Sequence, residues 1–215
     1  MVIYVRLKNV KNADKIIENS EYVIKKPTEY KGKWKTLFKN DNPISIEIGM
    51  GKGDFIIGMA EENPNINYIG IEMFDSVIVR AVQKLDDKKI PNLKLIRMDA
   101  SNINDVFYKE IDTIYLNFSD PWPKSRHEKR RLTSHNFLSK YDGLFKNKKT
   151  IIQKTDNKDF FCYSIVSFST YGYVIDDVTL DLKSLNDSCN VLTEYEKKFN
   201  QKNINICRLK VHKDN

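Results

Sequence analysis

Short apolar runs rich in β-branched and aromatic residues alternate along the chain with segments whose apolar positions recur at helical spacing. The runs that predict strands are 44–48, 68–71, 93–98, 113–118, 150–154, 178–182 and 206–211. The segments that predict helices are 55–61, 77–85, 137–145 and 160–168. This alternation predicts an α/β fold, a mostly parallel, doubly wound seven-stranded sheet with helices on both faces.

The length of 215 residues suits one sizeable core. No internal repeat or Gly/Ser-rich linker divides the chain. We expect a basic N-terminal extension over residues 1–40, followed by a single domain over residues 41–215.

The composition argues against a membrane-spanning, secreted or zinc-binding protein. No apolar run approaches the ~18 residues that a membrane span requires, and the first residues lack a signal-peptide core. We therefore expect a soluble, cytoplasmic protein. The three cysteines include no Cys-x-x-Cys pair, which favours reduced thiols, and with only three histidines we expect no metal site.

The basic charge is concentrated in two places. The chain carries a net charge of +7, with ten Lys/Arg against four Asp/Glu in residues 1–40 and five against one in residues 124–131. Patches of this kind favour a polyanionic partner, and nucleic acid is the leading candidate.

In a doubly wound sheet, ligands bind beyond the carboxyl ends of the strands. The first predicted strand ends in Glu47, followed by Gly49, Gly51 and Gly53. A dinucleotide fingerprint would place a glycine three residues after Gly51, where this chain has Asp54. An acid followed by Gly-x-Gly-x-Gly is the spacing of S-adenosylmethionine sites, because that cofactor carries an ammonium and a sulfonium and has no pyrophosphate.

Further acids follow the next strands. Glu72 ends the second and is suited to accept hydrogen bonds from ribose hydroxyls. Asp99 follows the third and could accept from an adenine amino group. Each could equally be a helix cap or a solvated turn residue, but their repetition at successive strand ends favours a cofactor site.

After the fourth strand, two prolines constrain the backbone around Asp120 and place it at the mouth of the sheet. The basic run that follows could be a solvated loop, but its place beside the expected reaction centre favours contacts with phosphates. Trp122 could stack on a base or serve only in packing.

Several motifs closely resemble the bacterial tRNA (guanine-N7)-methyltransferase family. They are Glu47-Ile48-Gly49-x-Gly51-x-Gly53, Gly70-Ile71-Glu72, 115–124 (YLNFSDPWPK), 126–131 (RHEKRR), 154–157 (KTDN) and 193–196 (TEYE). The match runs in order from about residue 28 to about residue 208.

The resemblance implies a Rossmann-like class I methyltransferase fold, with S-adenosylmethionine as cofactor and N7 of guanine 46 in the variable loop of tRNA as the methyl acceptor. It implies that the cofactor is bound by Glu47, Gly49, Gly51, Glu72, Asp99 and Asp120. It implies that the substrate is bound by Lys124, Arg126, His127, Glu128, Lys129, Arg130, Arg131, Asp156, Thr193, Glu194, Tyr195 and Glu196. Asp120 is also the candidate catalytic residue. The expected partner is tRNA, with no membrane association, and the protein is a monomer or a homodimer.

The substrate-side residues have structural alternatives. Thr193 and Glu196 form a capping-box pattern, and Asp156 could cap the helix that carries Phe160. Two rival functions also stay open, an exocyclic amino-methyltransferase and a non-catalytic tRNA-binding protein, whereas Asp54 disfavours an NAD-dependent enzyme.

Three departures from the family concern loops. Residues 146–149 replace the usual Gly-Gly turn, Lys183 replaces a histidine, and Cys189 replaces a glycine.

Overall fold

The computed structural model describes residues 10–187 and 190–214, so Cys189 lies outside the described residues. Its strands are β1 Ile44–Ile48, β2 Asn67–Glu72, β3 Leu93–Arg97, β4 Ile111–Asn117, β5 Phe145–Thr155, β6 Val174–Thr179 and β7 Cys207–Lys213. Its α-helices are α1 Ala13–Asn19, α2 Lys35–Phe38, α3 Asp54–Glu62, α4 Asp75–Leu85, α5 His135–Tyr141, α6 Lys158–Thr170 and α7 Glu194–Gln201. Short 3₁₀ helices cover Pro27–Tyr30, Ala100–Asp105, Ser125–Arg130 and Lys183–Leu185.

The seven strands form one sheet in the order β3-β2-β1-β4-β5-β7-β6. The first five strands are parallel, and β7 runs antiparallel between β5 and β6. The order reverses direction after β1, so β1 and β4 are neighbours at the topological switch point. Ligands of doubly wound sheets bind beyond the carboxyl ends of the strands at this point.

The sheet separates two apolar cores. On one face, α1, α3 and α4 contribute to a core that includes Ile56 of α3, Tyr68 of β2 and Leu93 of β3. On the other face, α5, α6 and the N-terminal segment cover a larger core. All five residues of β1 are buried, as expected for a parallel strand that is packed on both faces.

Residues 10–40 pack against this sheet. Val23 forms a parallel bridge with Leu95 of β3. Trp34 is fully buried, and Glu110 accepts hydrogen bonds from the backbone N–H groups of Gly32 and Trp34 at 2.8 and 3.0 Å. The basic side chains of this segment therefore extend from backbone that is anchored to the sheet.

The predicted α/β fold with a mostly parallel seven-stranded sheet is confirmed. Three element predictions are wrong in detail. The helix predicted over residues 137–145 ends at Tyr141, and Phe145 begins a strand. Strand β5 begins at Phe145, not Thr150, so the lysine-rich residues 146–149 belong to a strand. Strand β6 spans Val174–Thr179, whereas the apolar run predicted a strand over 178–182. The prediction was wrong because β6 is an edge strand, so its apolar side chains stay exposed and do not mark its bounds.

Within the described ranges, every helix is too short or too polar to cross a lipid bilayer. Cys162 is exposed and Cys207 is buried, and both are free thiols.

Candidate active site

The turn after β1 leaves open space at the carboxyl edge of the sheet. Gly49 and Gly51 have φ angles of 78° and 58°, a region that favours glycine. A Cβ built on either residue would meet nothing within 4 Å. The Gly49 N–H donates to the Ile71 carbonyl at 2.9 Å, which fixes the turn against the end of β2. This turn has room for a ligand against its backbone.

Glu47 lies in β1 beside this turn and is only 2% exposed. Its Oε1 accepts a hydrogen bond from Asn117 Nδ2 at 2.8 Å, and its Oε2 has no partner among the described residues. Burial raises the pKa of Glu47 to about 8, against the opposing effects of the Asn117 hydrogen bond and the Lys154 charge. A buried carboxyl group with a free oxygen is suited to a cationic ligand, which would stabilise its ionised form.

Glu72, at the end of β2, is hydrogen-bonded to the same turn. It accepts hydrogen bonds from the N–H groups of Gly51, Met73 and Phe74 at 3.1, 2.8 and 3.0 Å. Burial raises the pKa of Glu72, and these three backbone donors oppose the rise.

Asp99 follows β3 and is exposed. Its carboxylate accepts from the Ser101 N–H at 2.7 Å, so it caps the 3₁₀ helix Ala100–Asp105. The capping alternative is therefore realised at Asp99, and capping leaves the other oxygen of the carboxylate available for a ligand.

The end of β4 supplies two more unpaired groups. Asn117 Oδ1 and Ser119 Oγ are buried with no hydrogen-bond partner within the described part of the chain. Phe118 between them adopts a left-handed conformation, with φ of 51°. Asp120 follows at the exposed rim, where partial desolvation raises its pKa. The β4 end thus carries three polar side chains in four residues, two of them with buried, unpaired atoms and one of them exposed.

The basic stretch after β4 forms the 3₁₀ helix Ser125–Arg130 at the rim. Four exposed cations of this stretch form no ion pair with any described carboxylate. They are Lys124, Arg126, Lys129 and Arg130. The Arg130 guanidinium lies over the Trp122 ring at 4.8 Å, and His127 contacts the same ring edge-on at 5.6 Å. This stretch is an ordered surface of unneutralised positive charge.

Arg131 and Glu128 have local structural partners. Arg131 donates to the carbonyls of Pro121 and Trp122 at 3.1 Å and packs over the Tyr163 ring at 4.1 Å. Glu128 accepts from the Tyr163 hydroxyl at 3.0 Å. These contacts join the rim to α6.

Residues 190–196, here called the strap, cross the carboxyl ends of β1, β4 and β5. Thr193 and Glu196 form the predicted capping box of α7, which is confirmed. Glu194 pairs with Lys52 of the glycine turn at 2.7 Å. Tyr195 is 53% exposed and stacks on Phe118 at 5.5 Å between ring centroids.

Lys154 lies in the buried run 153–155 at the end of β5 and forms a buried ion pair with Glu196 at 3.0 Å. Two residues later, just after β5 ends, Asp156 is exposed. The cap of α6 is Asn157, whose side chain accepts from the Phe160 N–H at 2.8 Å, so the alternative that Asp156 caps this helix is wrong.

The structure brings the Glu72 carboxylate to the Gly51 N–H beside buried Glu47. It leaves Asp99 exposed as the cap of its own 3₁₀ helix, and it leaves Asp120, Asp156 and the basic stretch 124–131 largely exposed. Sequence reasoning did not single out four contributors: Asn117, Phe118, Ser119 and Lys154. All four lie inside motifs quoted above, 115–124 and 154–157, and the signal that could have found the first three is the change from an apolar strand to the polar residues Asn117, Ser119 and Asp120 at its end.

The side chains fit S-adenosylmethionine. The unpaired oxygen of Glu47 and the unpaired groups of Asn117 and Ser119 are polar partners for a charged, hydrogen-bonding ligand. The open space over Gly49 and Gly51 adds room for it. No group of three potential ligands in the described ranges is placed to hold a metal ion.

Comparison with known proteins identifies the family of this chain. A family model described as "Putative methyltransferase" matches residues 41–209. The chain is 55% identical to a tRNA (guanine-N(7)-)-methyltransferase of Bacillus licheniformis, over 91% of this chain and 92% of that protein. It is 50% identical to the protein of the same name from Streptococcus mutans, over 95% and 98% of the two chains.

Solved structures agree on the fold. "Structure of an Antibiotic Related Methyltransferase" is similar with a TM-score of 0.64 at 18% identity, covering 86% of this chain and 94% of that one. A 16S rRNA (adenine(1408)-N(1))-methyltransferase variant from Catenulisporales acidiphilia, solved with SAM, gives a TM-score of 0.61 at 11% identity, covering 88% and 91%. At such identities the likeness concerns the fold alone.

Proposed function

This chain belongs to the tRNA (guanine-N(7)-)-methyltransferase family, and from that membership we propose that it methylates N7 of guanine 46 in the variable loop of tRNA, with S-adenosylmethionine as donor, in the bacterial cytoplasm. The observation that carries this proposal is the buried Glu47 carboxyl group with a free oxygen beside an open glycine turn.

On this proposal, Glu47 and the turn residues Gly49 and Gly51 hold the amino-acid end of the cofactor, and Glu72 accepts from its ribose hydroxyls. Asp99 contacts the adenine, and Asp120 closes the site at the rim. When bound, S-adenosylmethionine supplies an electrophilic methyl group on a positively charged sulfur. The residues of this chain therefore act mainly by orienting the two reactants, an effect worth up to ~7–11 kcal/mol.

Guanine N7 presents a lone pair and no proton, so the site requires no general base. On this proposal Asp120 faces the purine, and its carboxylate would stabilise the positive charge that develops there. Asp156 and Glu194 are exposed carboxylates suited to accept from the guanine N1–H and N2 amino donors. The stacked pair Phe118 and Tyr195 offers an aromatic face for the base.

The target base must leave its contacts in the tRNA to reach this cleft, at a cost of ~a few kcal/mol. Contacts between tRNA phosphates and the unpaired basic residues would offset that cost: Lys124, Arg126, His127, Lys129 and Arg130. Arg131, Glu128, Thr193 and Glu196 support these contacts from positions fixed by their own partners.

The direct test is transfer of labelled methyl groups to total tRNA, followed by nucleoside analysis. We expect 7-methylguanosine as the product. Label in an exocyclic-amino product would instead establish the rival methyltransferase, and absence of both transfer and cofactor binding would favour the non-catalytic tRNA-binding protein.

The role of Asp120 is tested with Asp120→Asn. We expect a lower single-turnover rate at saturating cofactor, because the variant lacks the charge beside the purine. If cofactor affinity falls but the single-turnover rate stays at the wild-type value, Asp120 serves binding alone.

A further inference from the structure

Lys154 occupies an unusual position for a lysine. It is 3% exposed, at the end of β5, and its Nζ donates to Glu196 Oε2 at 3.0 Å, Asn190 Oδ1 at 2.6 Å and the Val191 carbonyl at 3.3 Å. All three acceptors belong to the strap. A buried charge requires such complete pairing, because an unpaired one is strongly destabilising.

The same lysine also faces the cofactor side of the cleft. It pairs in register with Asn117, the residue that donates to Glu47. Its carbonyl accepts from the Phe118 N–H at 2.8 Å, and its ammonium lies 5.0 Å from the centre of the Phe55 ring, in the first turn of α3. The charge of Lys154 opposes the burial-driven rise in the pKa of Glu47.

The strap has further attachments to the cofactor side. Glu194 pairs with Lys52, Tyr195 stacks on Phe118, and Val191 packs directly over Gly58 of α3. A Cβ on Gly58 would lie 2.7 Å from Val191 Cγ1, closer than real side chains approach. The strap thus contacts the cofactor side at several points, and the contact through Lys154 is the most deeply buried of them.

We propose that Lys154 is a positioning residue that couples the two binding sites, fixing the strap through Glu196 and Asn190 while its charge acts on the carboxyl group of Glu47. This inference rests on the proposed function, since it assigns the strap to the tRNA side and Glu47 to the cofactor side. On this proposal Lys154 acts through Glu196, Asn190 and Glu47 and not by direct contact with either reactant.

The test uses Lys154→Met, with Lys149→Met as the matched control. Lys149 is also in β5 and is also ion-paired, to Asp142 at 2.7 Å, but it lies five residues before Lys154 in the strand and away from the strap. For Lys154→Met we expect the KM for tRNA to rise at least about tenfold and the Kd for S-adenosylmethionine several-fold. For Lys149→Met we expect both constants to stay within about twofold of the wild type, although its Tm falls.

A second variant covers the case in which Lys154→Met fails to fold. Gly58→Ala improves helix propensity but displaces Val191 and hence the strap. We expect a several-fold higher KM for tRNA, with an unchanged Kd for S-adenosylmethionine measured by calorimetry.

An unchanged KM for tRNA in Gly58→Ala overturns the role of the strap. A folded Lys154→Met that differs from the wild type only in Tm, or that changes just one of the two constants, overturns the coupling. Failure of the proposed function is seen separately, in the nucleoside product of the wild-type enzyme.

Discussion

The cofactor pocket and the strap each contain a buried glutamate, and the two carboxyl groups differ in how their hydrogen-bonding capacity is used. Glu47 is held by Asn117 alone, and one oxygen has no partner among the described residues. Glu196 is equally buried, at 1% exposure, but accepts from Lys154, Asn190 and the Thr193 N–H. The contrast shows that burial alone does not identify a ligand site. At Glu47 the unfilled hydrogen-bonding capacity coincides with the open glycine turn, and the two observations together point to a ligand site, because folding leaves few buried groups without a partner.

We expect the strongest effect from Glu47→Gln, on cofactor binding. Because the variant lacks the carboxylate that would face a cation, its affinity for S-adenosylmethionine should fall on the order of 100-fold. The measurement is calorimetry. Glu196→Gln is the comparison variant, and it should lower Tm because it weakens the pairing of the buried Lys154, while it retains cofactor affinity. Equal reductions of cofactor affinity in both variants would contradict the distinction between the two glutamates.

The next effect is a pH dependence specific to the pocket. The pKa of Glu47 is raised to about 8 in the folded protein, from an ordinary value of 4.5. A cationic cofactor favours the ionised form, so below the raised pKa its binding releases a proton. We expect affinity to increase up to about tenfold per pH unit between about pH 6 and about pH 7.5, and this dependence to disappear in Glu47→Gln.

The same shift has a consequence for stability without cofactor. The folded protein binds the Glu47 proton more tightly than the unfolded chain, so this group's contribution to stability falls as pH rises from about 4.5 to about 8 and then levels off. Thermal unfolding of wild type and Glu47→Gln across this range measures the difference. Parallel Tm profiles would show that Glu47 ionises normally.

A further prediction concerns the basic rim, which belongs to neither the cofactor pocket nor the strap. Arg126→Gln combined with Arg130→Gln should weaken tRNA binding several-fold and reduce the slope of log affinity against log salt by about one for each phosphate that is no longer neutralised. Binding measured over a salt series tests this, and Arg131→Gln serves as a contrast. Arg131 is occupied by the carbonyls of Pro121 and Trp122, so its replacement should lower Tm more than it changes the slope.

The weakest effect should occur at the helix cap of the strap. Thr193→Ala removes the side-chain acceptor for the Glu196 N–H and should cost about 1 kcal/mol of stability. Denaturant unfolding measures that change, and Thr193→Ser should restore most of the stability. Cofactor affinity should stay at the wild-type value, and a decrease there would mean that Thr193 contributes directly to the pocket.

Local patterns in the sequence were enough to predict the α/β architecture, the positions of the acids at the strand ends and the capping box of α7. These features depend on periodicity and on residue types within a few positions of one another, so a single chain displays them directly. The motif 115–124 with its basic sequel also indicated the family, which the comparisons bear out.

The assembled fold was needed to show which polar groups are satisfied. Nothing near Glu47 in the chain shows that Asn117 will hold it, and nothing near Glu196 shows that Lys154 will pair with it, because each pair joins residues from different strands or segments. The start of β5 and the extent of β6 likewise depend on pairing with neighbouring strands. Hydrogen-bond satisfaction requires contacts between distant parts of the chain, and those contacts exist only once the sheet has formed.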